Sequence, residues 1–323
     1  MILITLKCIT ATILALAGSG ATYQYVATKL DKQRFPPIGK MIDVDGYKLH
    51  MIDSGTGGPT VVMDAGLGGY CLDWSLVQPK IVKFTRVITY DRAGYGWSDE
   101  SPRERTSENA MKELHAMLHN ASVPAPYVLV GQSLGGVNVR LFAMMYPDEV
   151  AGIVLVDSSH ELQIEKLPKI NHPVYFKPAV AVMLSKLGIV RRFTSYFINT
   201  DNFAKYSSIQ KMYNSQKLTT KFVRTMTYEF SNFEQSLDQL KKTGGHLGDK
   251  PLTVLTAGKQ ANKVWPTLQA DLVTKSTQGK QIIVKASGHM IHHDQPETVV
   301  DAIREMIDAL KSRDDISACP HHN

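Results

Sequence analysis

The sequence predicts an α/β protein: a mostly parallel central sheet, helices on both faces, and one helical insertion after the sixth strand. Three observations carry this. Short apolar runs alternate with amphipathic stretches over residues 38–157; the alternation stops between 158 and 250; it then resumes over 251–313. The apolar runs are continuous rather than alternating, as expected of strands covered on both faces. At 323 residues, 43% hydrophobic and 20% charged, the chain has the composition of an ordinary globular protein with ample core material. It contains no internal repeat, heptad run or low-complexity tract. Cys8, Cys71 and Cys319 stand far apart, so their spacing points to neither a metal cluster nor a disulfide framework.

The first 34 residues form a separate unit. Lys7 is the one charge ahead of an uncharged run from Cys8 to Thr28, long enough to cross about 30 Å of hydrocarbon as a helix. An uncleaved signal anchor would use the whole run, and Tyr23, Tyr25 and Val26 suit a membrane interface. A cleavable signal peptide would use Lys7 as its charged end, with Ala15–Ala17 or Ala21 at the cleavage site. A buried N-terminal helix is the third reading. The chain is therefore expected to be membrane-anchored or exported. Lys29, Lys32, Arg34 and Lys40 follow the run, so the basic-side count alone keeps the body on the cytoplasmic side.

After Pro36 and Pro37, two short strands meet at Asp45-Gly46, a hairpin turn. Strands follow at "TVVMD" from Thr60 and "RVITYD" from Arg86, then an amphipathic helix from Ser107, with Ser107 as its expected cap. "PYVLVG" is the next strand, "LGGVNVRLFAMMYP" a helix ended by Pro147, and "AGIVLVDSS" the sixth strand. Residues 158–250 read as helical. Past them come "PLTVLTAG", "VWPTLQADLVTKS", "QIIVKASGH" and "PETVVDAIREMIDALKS" as strand, helix, strand, helix, followed by a flexible tail over 314–323.

The insertion carries the chain's basicity. It holds 14 Lys plus Arg against 7 Asp plus Glu, a charge of +7 within a total of +6, and 12 of the 23 Tyr and Phe. The charges fall at helical spacings without any recognised nucleic-acid motif, so no nucleic-acid partner is expected. Because it follows a strand's carboxyl end, where open α/β sheets bind ligands, the insertion should roof the site as a lid.

"GQSLG" puts Ser133 on a tight strand-to-helix turn, between glycines that let the helix fold straight back over the strand. Ser133 is the expected nucleophile, with the Leu134 amide at the helix's positive end as one oxyanion donor. A serine needs a base. His289, in "SGHMIHHDQPE" past the last strand, is the expected one, with Gly288 giving its loop room; His292 and His293 are close rivals. The acid that orients the imidazole is assigned to Asp157 at the end of the sixth strand, because "KQANKVW" after the seventh holds no carboxylate. Asp157 could instead merely cap the insertion's first helix. In "DAGLGG", Ala65 and Gly66 should turn the chain so that the Leu67 amide supplies the second oxyanion donor.

These pieces, with "YDRAGYGWSD" after the fourth strand, resemble the α/β-hydrolase superfamily over roughly residues 40–312. The resemblance implies a core built from 38–157 and 251–313, a helical lid over 158–250, and Arg92, Tyr95 and Trp97 in structural roles. Two departures stand out: Ala65-Gly66 replaces a common histidine-glycine, and the acid follows the sixth strand instead of the seventh. A serine elbow argues against the relatives with this layout that use an aspartate nucleophile. The resemblance implies a serine hydrolase acting on a small acyl substrate, ester cleavage first, with no metal or cofactor required. The alternatives are a proline-iminopeptidase-like enzyme, a carbon-carbon bond hydrolase, and a membrane-tethered binding protein without turnover. A net basic lid counts against an amine-binding peptidase.

Overall fold

The computed structural model describes residues 1–167, 177–197, 207–260 and 262–318. Parts of the insertion, 168–176 and 198–206, and the tail with Cys319 lie outside them. Eight strands form one sheet: β1 (Lys40–Val44), β2 (Tyr47–Ser54), β3 (Thr60–Asp64), β4 (Val87–Tyr90), β5 (Tyr127–Gln132), β6 (Val150–Val156), β7 (Leu252–Ala257) and β8 (Gly279–Val284). Their spatial order is β1-β2-β4-β3-β5-β6-β7-β8. Only β2 runs against its neighbours, pairing antiparallel with both β1 and β4; the rest of the sheet is parallel. The β1–β2 turn is the expected Asp-Gly hairpin, with Asp45 at φ +55° and Gly46 at φ +91°, and the Gly46 N–H donating to Asp43.

The helices, in chain order, begin with α1 (Ile2–Arg34), a single turn α2 (Gln78–Ile81), α3 (Ser107–Asn120) and α4 (Leu134–Met145). The insertion contributes α5 (Gln163–Lys166), α6 (Pro178–Lys186), α7 (Ile189–Phe197), α8 (Ser207–Lys217), α9 (Thr220–Ser231) and α10 (Phe233–Lys242). Then come α11 (Trp265–Val273), the single turn α12 (Ile291–Asp294) and α13 (Pro296–Ala318). The cap of α3 is Thr106, one residue before the expected Ser107, because its hydroxyl accepts the Asn109 N–H. The last helix continues to Ala318, past the 313 boundary set from the sequence, since no proline or glycine intervenes.

The strands β3 to β7 are buried along their whole length, as continuous apolar runs require; only Ala151 of β6 is partly open. Two core layers flank the sheet. One joins Leu129, Leu155 and Val254 to Met111 and Leu114 of α3 and to Val137 and Leu141 of α4. The other joins Val128, Val130 and Val156 to Val300, Ile303 and Ile307 of α13. Helix α10 of the insertion belongs to the first layer through Leu237 and Leu240. A smaller cluster packs Tyr213 of α8 and Phe222 of α9 against Tyr70 and Tyr95 of the core.

Candidate active site

Ser133 lies between β5 and α4 at φ +53°, ψ −119°, a backbone state that a residue with a side chain adopts only when its surroundings impose it. The imposition is visible. A Cβ on Gly131 would fall 2.3 Å from the Gly135 carbonyl oxygen, one on Gly135 2.3 Å from the Asp64 carbonyl oxygen, and one on Gly136 2.0 Å from the Ser158 hydroxyl. Helix, strand and neighbouring strand meet too closely for side chains. Ser133 itself is half-buried, and its carbonyl accepts the N–H groups of Gly136 and Ser159 at 3.0 and 2.9 Å.

At the same sheet edge, β6 ends in Asp157, wholly buried and also at positive φ, +44°. Four donors fill its carboxylate. Oδ1 accepts the Ala257 N–H and the Trp265 indole N–H, and Oδ2 accepts the Gln260 amide, each at 3.0 Å. His289 Nδ1 donates to Oδ2 at 2.6 Å. With its proton committed at Nδ1, a neutral His289 has a lone pair at Nε2. That nitrogen meets the Gln132 side-chain amide at 3.2 Å, the residue next to Ser133. Among the described residues the Ser133 hydroxyl itself makes no hydrogen bond. The two rivals point elsewhere: His292 is buried against Trp74, ring centroids 4.9 Å apart, and His293 Nε2 donates to the Asp73 carbonyl.

The loop after β3 presses on the serine. A Cβ on Gly66 would lie 3.1 Å from the Ser133 Cβ and 2.3 Å from the Gln132 amide oxygen. Arg92 holds this loop from behind, donating to the carbonyls of Ala65 and Gly66 at 2.6 and 2.8 Å. Its other donors reach Asp64 at 2.6 Å and Glu229 of α9 at 2.9 and 3.0 Å. Burial alone would push the Arg92 proton off, but the charges of Glu229 and Asp64 outweigh it and hold the guanidinium well above its usual pKa. Tying down the Gly66 carbonyl fixes the peptide plane, and within that plane the Leu67 N–H points the opposite way. The Leu67 N–H makes no hydrogen bond among the described residues, and Leu134 opens α4, where no helical carbonyl precedes its N–H. Arg92 and Tyr95, read as structural, are so here: Tyr95 donates to Glu229 at 2.7 Å.

Four contributors were not anticipated from sequence: Gln132, Gln260, Trp265 and Glu229. A signal for two of them existed in "KQANKVW", where polar donors stand in the loop that holds no acid; they are the donors that Asp157 needs. His50, Cys71 and Asp91 form a second buried cluster. Asp91 accepts from His50, the Cys71 N–H and the Trp97 N–H, bracing the turn after β4. Burial and the Asp91 charge push the Cys71 thiol up, which favours the protonated thiol over a metal-binding thiolate.

A family profile for the alpha/beta hydrolase fold matches residues 59–296, and the chain belongs to that family. It is 32% identical over 273 residues to the uncharacterised protein YqjL of Bacillus subtilis (strain 168), covering 83% of this chain and 91% of YqjL. It is also 29% identical over 129 residues to 2-hydroxymuconate semialdehyde hydrolase of Pseudomonas sp. (strain CF600), covering 39% of this chain and 46% of that enzyme. Among solved structures, a thermophilic esterase from Thermogutta terrifontis superposes with a TM-score of 0.63 at 22% identity, covering 84% of this chain and 98% of the esterase. The epoxide hydrolase CorEH gives 0.67 at 17% identity, with 84% and 98% covered. Both are likenesses of fold.

Proposed function

We propose that this α/β hydrolase is a serine enzyme that cleaves an ester or related small acyl compound through an acyl-enzyme. The observation that carries the reading is the 2.6 Å pair of Asp157 and His289, set at the sheet edge beside the strained turn of Ser133. As substrate enters, the Gln132 amide leaves His289 Nε2, which becomes free to accept the Ser133 proton. The Ser133 oxygen bonds to the acyl carbon, and the charge that develops on the carbonyl oxygen is met by the Leu67 and Leu134 amides. The carbon–oxygen bond to the leaving group breaks as Nε2 returns the proton to the departing alkoxide. Water then repeats the sequence on the acyl-enzyme, releasing the acid and restoring Ser133. Asp157 keeps the imidazole in the tautomer this requires. No step needs a metal or cofactor.

A carbon-carbon bond hydrolase uses the same groups, and the likeness to 2-hydroxymuconate semialdehyde hydrolase supports it as the second reading. The test is labelling by a fluorophosphonate probe together with a graded series of nitrophenyl acyl esters. The native chain should label at Ser133 and turn over at least one ester, and Ser133→Ala should do neither at unchanged melting temperature. Labelling without ester turnover would favour the carbon-carbon reading; no Ser133-dependent labelling would exclude both.

A further inference from the structure

Helix α1 has two halves with different surroundings. From Ile2 to Ser19 its large apolar side chains are exposed, Ile4 and Leu16 by two-thirds, over eighteen residues or about 27 Å, close to a bilayer's hydrocarbon thickness. From Gly20 onward it is docked on the lid. A Cβ on Gly20 would lie 2.3 Å from the Leu187 carbonyl oxygen, so α1 touches the α6–α7 turn backbone to backbone. Gln24 is buried, donating to the Leu218 carbonyl at 2.9 Å and accepting from Arg191 at 3.1 Å; Arg191 also pairs with Asp31 at 2.6 Å. At the far end, the Trp97 indole donates to the Phe35 carbonyl at 2.9 Å.

This docking has a geometric consequence. If Ile2–Ser19 crosses the bilayer, Gly20 and the lid turn packed on it sit at the membrane surface. Beside that turn the insertion exposes Met183, Ile189 and Phe193, the last 63% exposed, together with Lys186 and Arg192. Tyr23 and Tyr25 on α1 are exposed at the same level, as membrane-interface aromatics are.

Between α1, the lid and the 96–100 turn lies a crevice of about 1070 Å³. Tyr25, Phe35 and Trp97 give it apolar walls, and Lys29, Lys32, Lys186 and Lys221 converge on it. Its acidic side chains are already engaged: Glu100 pairs with Arg224 at 2.8 Å, and Asp99 accepts the Lys48 N–H at 3.0 Å. Lys221 donates to the Gly96 and Ser98 carbonyls at 2.9 and 2.6 Å, and burial holds its pKa down at about 8, with Lys32 adding to the effect. Lys29, Lys32 and Lys186 have no carboxylate partner among the described residues. Helical side chains tilt toward the helix N-terminus, so Lys29 and Lys32 lean back toward the bilayer.

We propose that this crevice binds the headgroup of an anionic membrane lipid, fixing the lid against the bilayer beside the N-terminal helix. Charge and position argue together: a net cationic, aromatic-walled cleft opens where the apolar span ends, within reach of lipid phosphate. The site is separate from Ser133 and does not depend on the reaction assigned there.

The test uses the full-length chain in a nonionic detergent, with native mass spectrometry counting retained phosphatidylglycerol against phosphatidylcholine at equal concentration. The native chain should retain one phosphatidylglycerol at least tenfold over phosphatidylcholine. The triple variant Lys29→Gln, Lys32→Gln, Lys186→Gln should lose that preference. A control with the same charge change, Lys259→Gln, Lys263→Gln, Lys285→Gln, should keep it. Equal retention of the two lipids, or equal loss in both triple variants, would overturn the site. Inorganic phosphate at millimolar concentration provides the remaining arm: displacement of the lipid by phosphate alone would make the occupant a free anion and overturn the lipid assignment.

Discussion

Asp157→Asn separates orientation of the imidazole from its mere presence. The native carboxylate accepts four hydrogen bonds, two on each oxygen. An amide keeps one accepting oxygen. Placed with that oxygen toward the Ala257 N–H and the Trp265 indole, the new NH₂ faces the Gln260 amide and His289 Nδ1. Gln260 can rotate to offer its oxygen, and His289 can move its proton to Nε2 and accept at Nδ1. The fold survives with about 2 kcal/mol lost, the worth of one hydrogen bond to a charged group. The base does not survive, because a protonated Nε2 cannot take the serine's proton. The corresponding change in serine proteases lowers kcat about 10⁴-fold, which corresponds to about 5.4 kcal/mol of transition-state stabilisation. The assay is ester hydrolysis on the native chain and the variant, with melting temperatures measured in parallel. A kcat/KM within tenfold of the native value would refute the role given to Asp157, and with it the acid's position after β6.

Glu229→Ala should cost about 3 kcal/mol in denaturant unfolding, because it strips one of two carboxylates from a buried guanidinium; ester turnover should fall with it as the 65–66 loop loosens, and Glu229→Gln should restore part of both. A loss under 1 kcal/mol would remove Arg92 as the tie between lid and loop. Burial, reinforced by the charges of His293 and His289, keeps the buried His292 pKa well below its usual value. The unfolded chain therefore takes the proton first as pH falls, so His292 favours folding above about pH 6.5 and that contribution is lost below it, by up to about 1.4 kcal/mol per pH unit until the folded group titrates. His292→Phe, which keeps a ring against Trp74, should flatten the fall in stability between pH 7 and 5. Burial lowers His160 as well, so a residual slope should remain. An unchanged slope would place the acid sensitivity elsewhere.

Much of this site was legible in the chain because its signals are local. A strand run, Gly131, Ser133, Gly135 and a helical run dictate the tight turn by sterics alone, and the same holds for Asp45-Gly46 at the hairpin. Asp157 could be chosen because the alternative loop contains no carboxylate. The choice of His289 over His292 and His293 rested on one neighbouring glycine; burial of His292 against Trp74 distinguishes them in three dimensions.

What the sequence determined by itself was the order of elements, the turn that carries Ser133 and the apolar span at the N-terminus, since each depends on residues a few positions apart. Only the tertiary structure decided which donors fill Asp157, that the Gln132 amide meets His289 Nε2, that Arg92 joins Glu229 of the insertion to the loop at Gly66, and that the second half of α1 docks on the insertion. Those contacts link residues from 100 to 194 positions apart in most cases. Such pairings are selected by how whole layers pack, and a window of neighbouring residues carries no record of them.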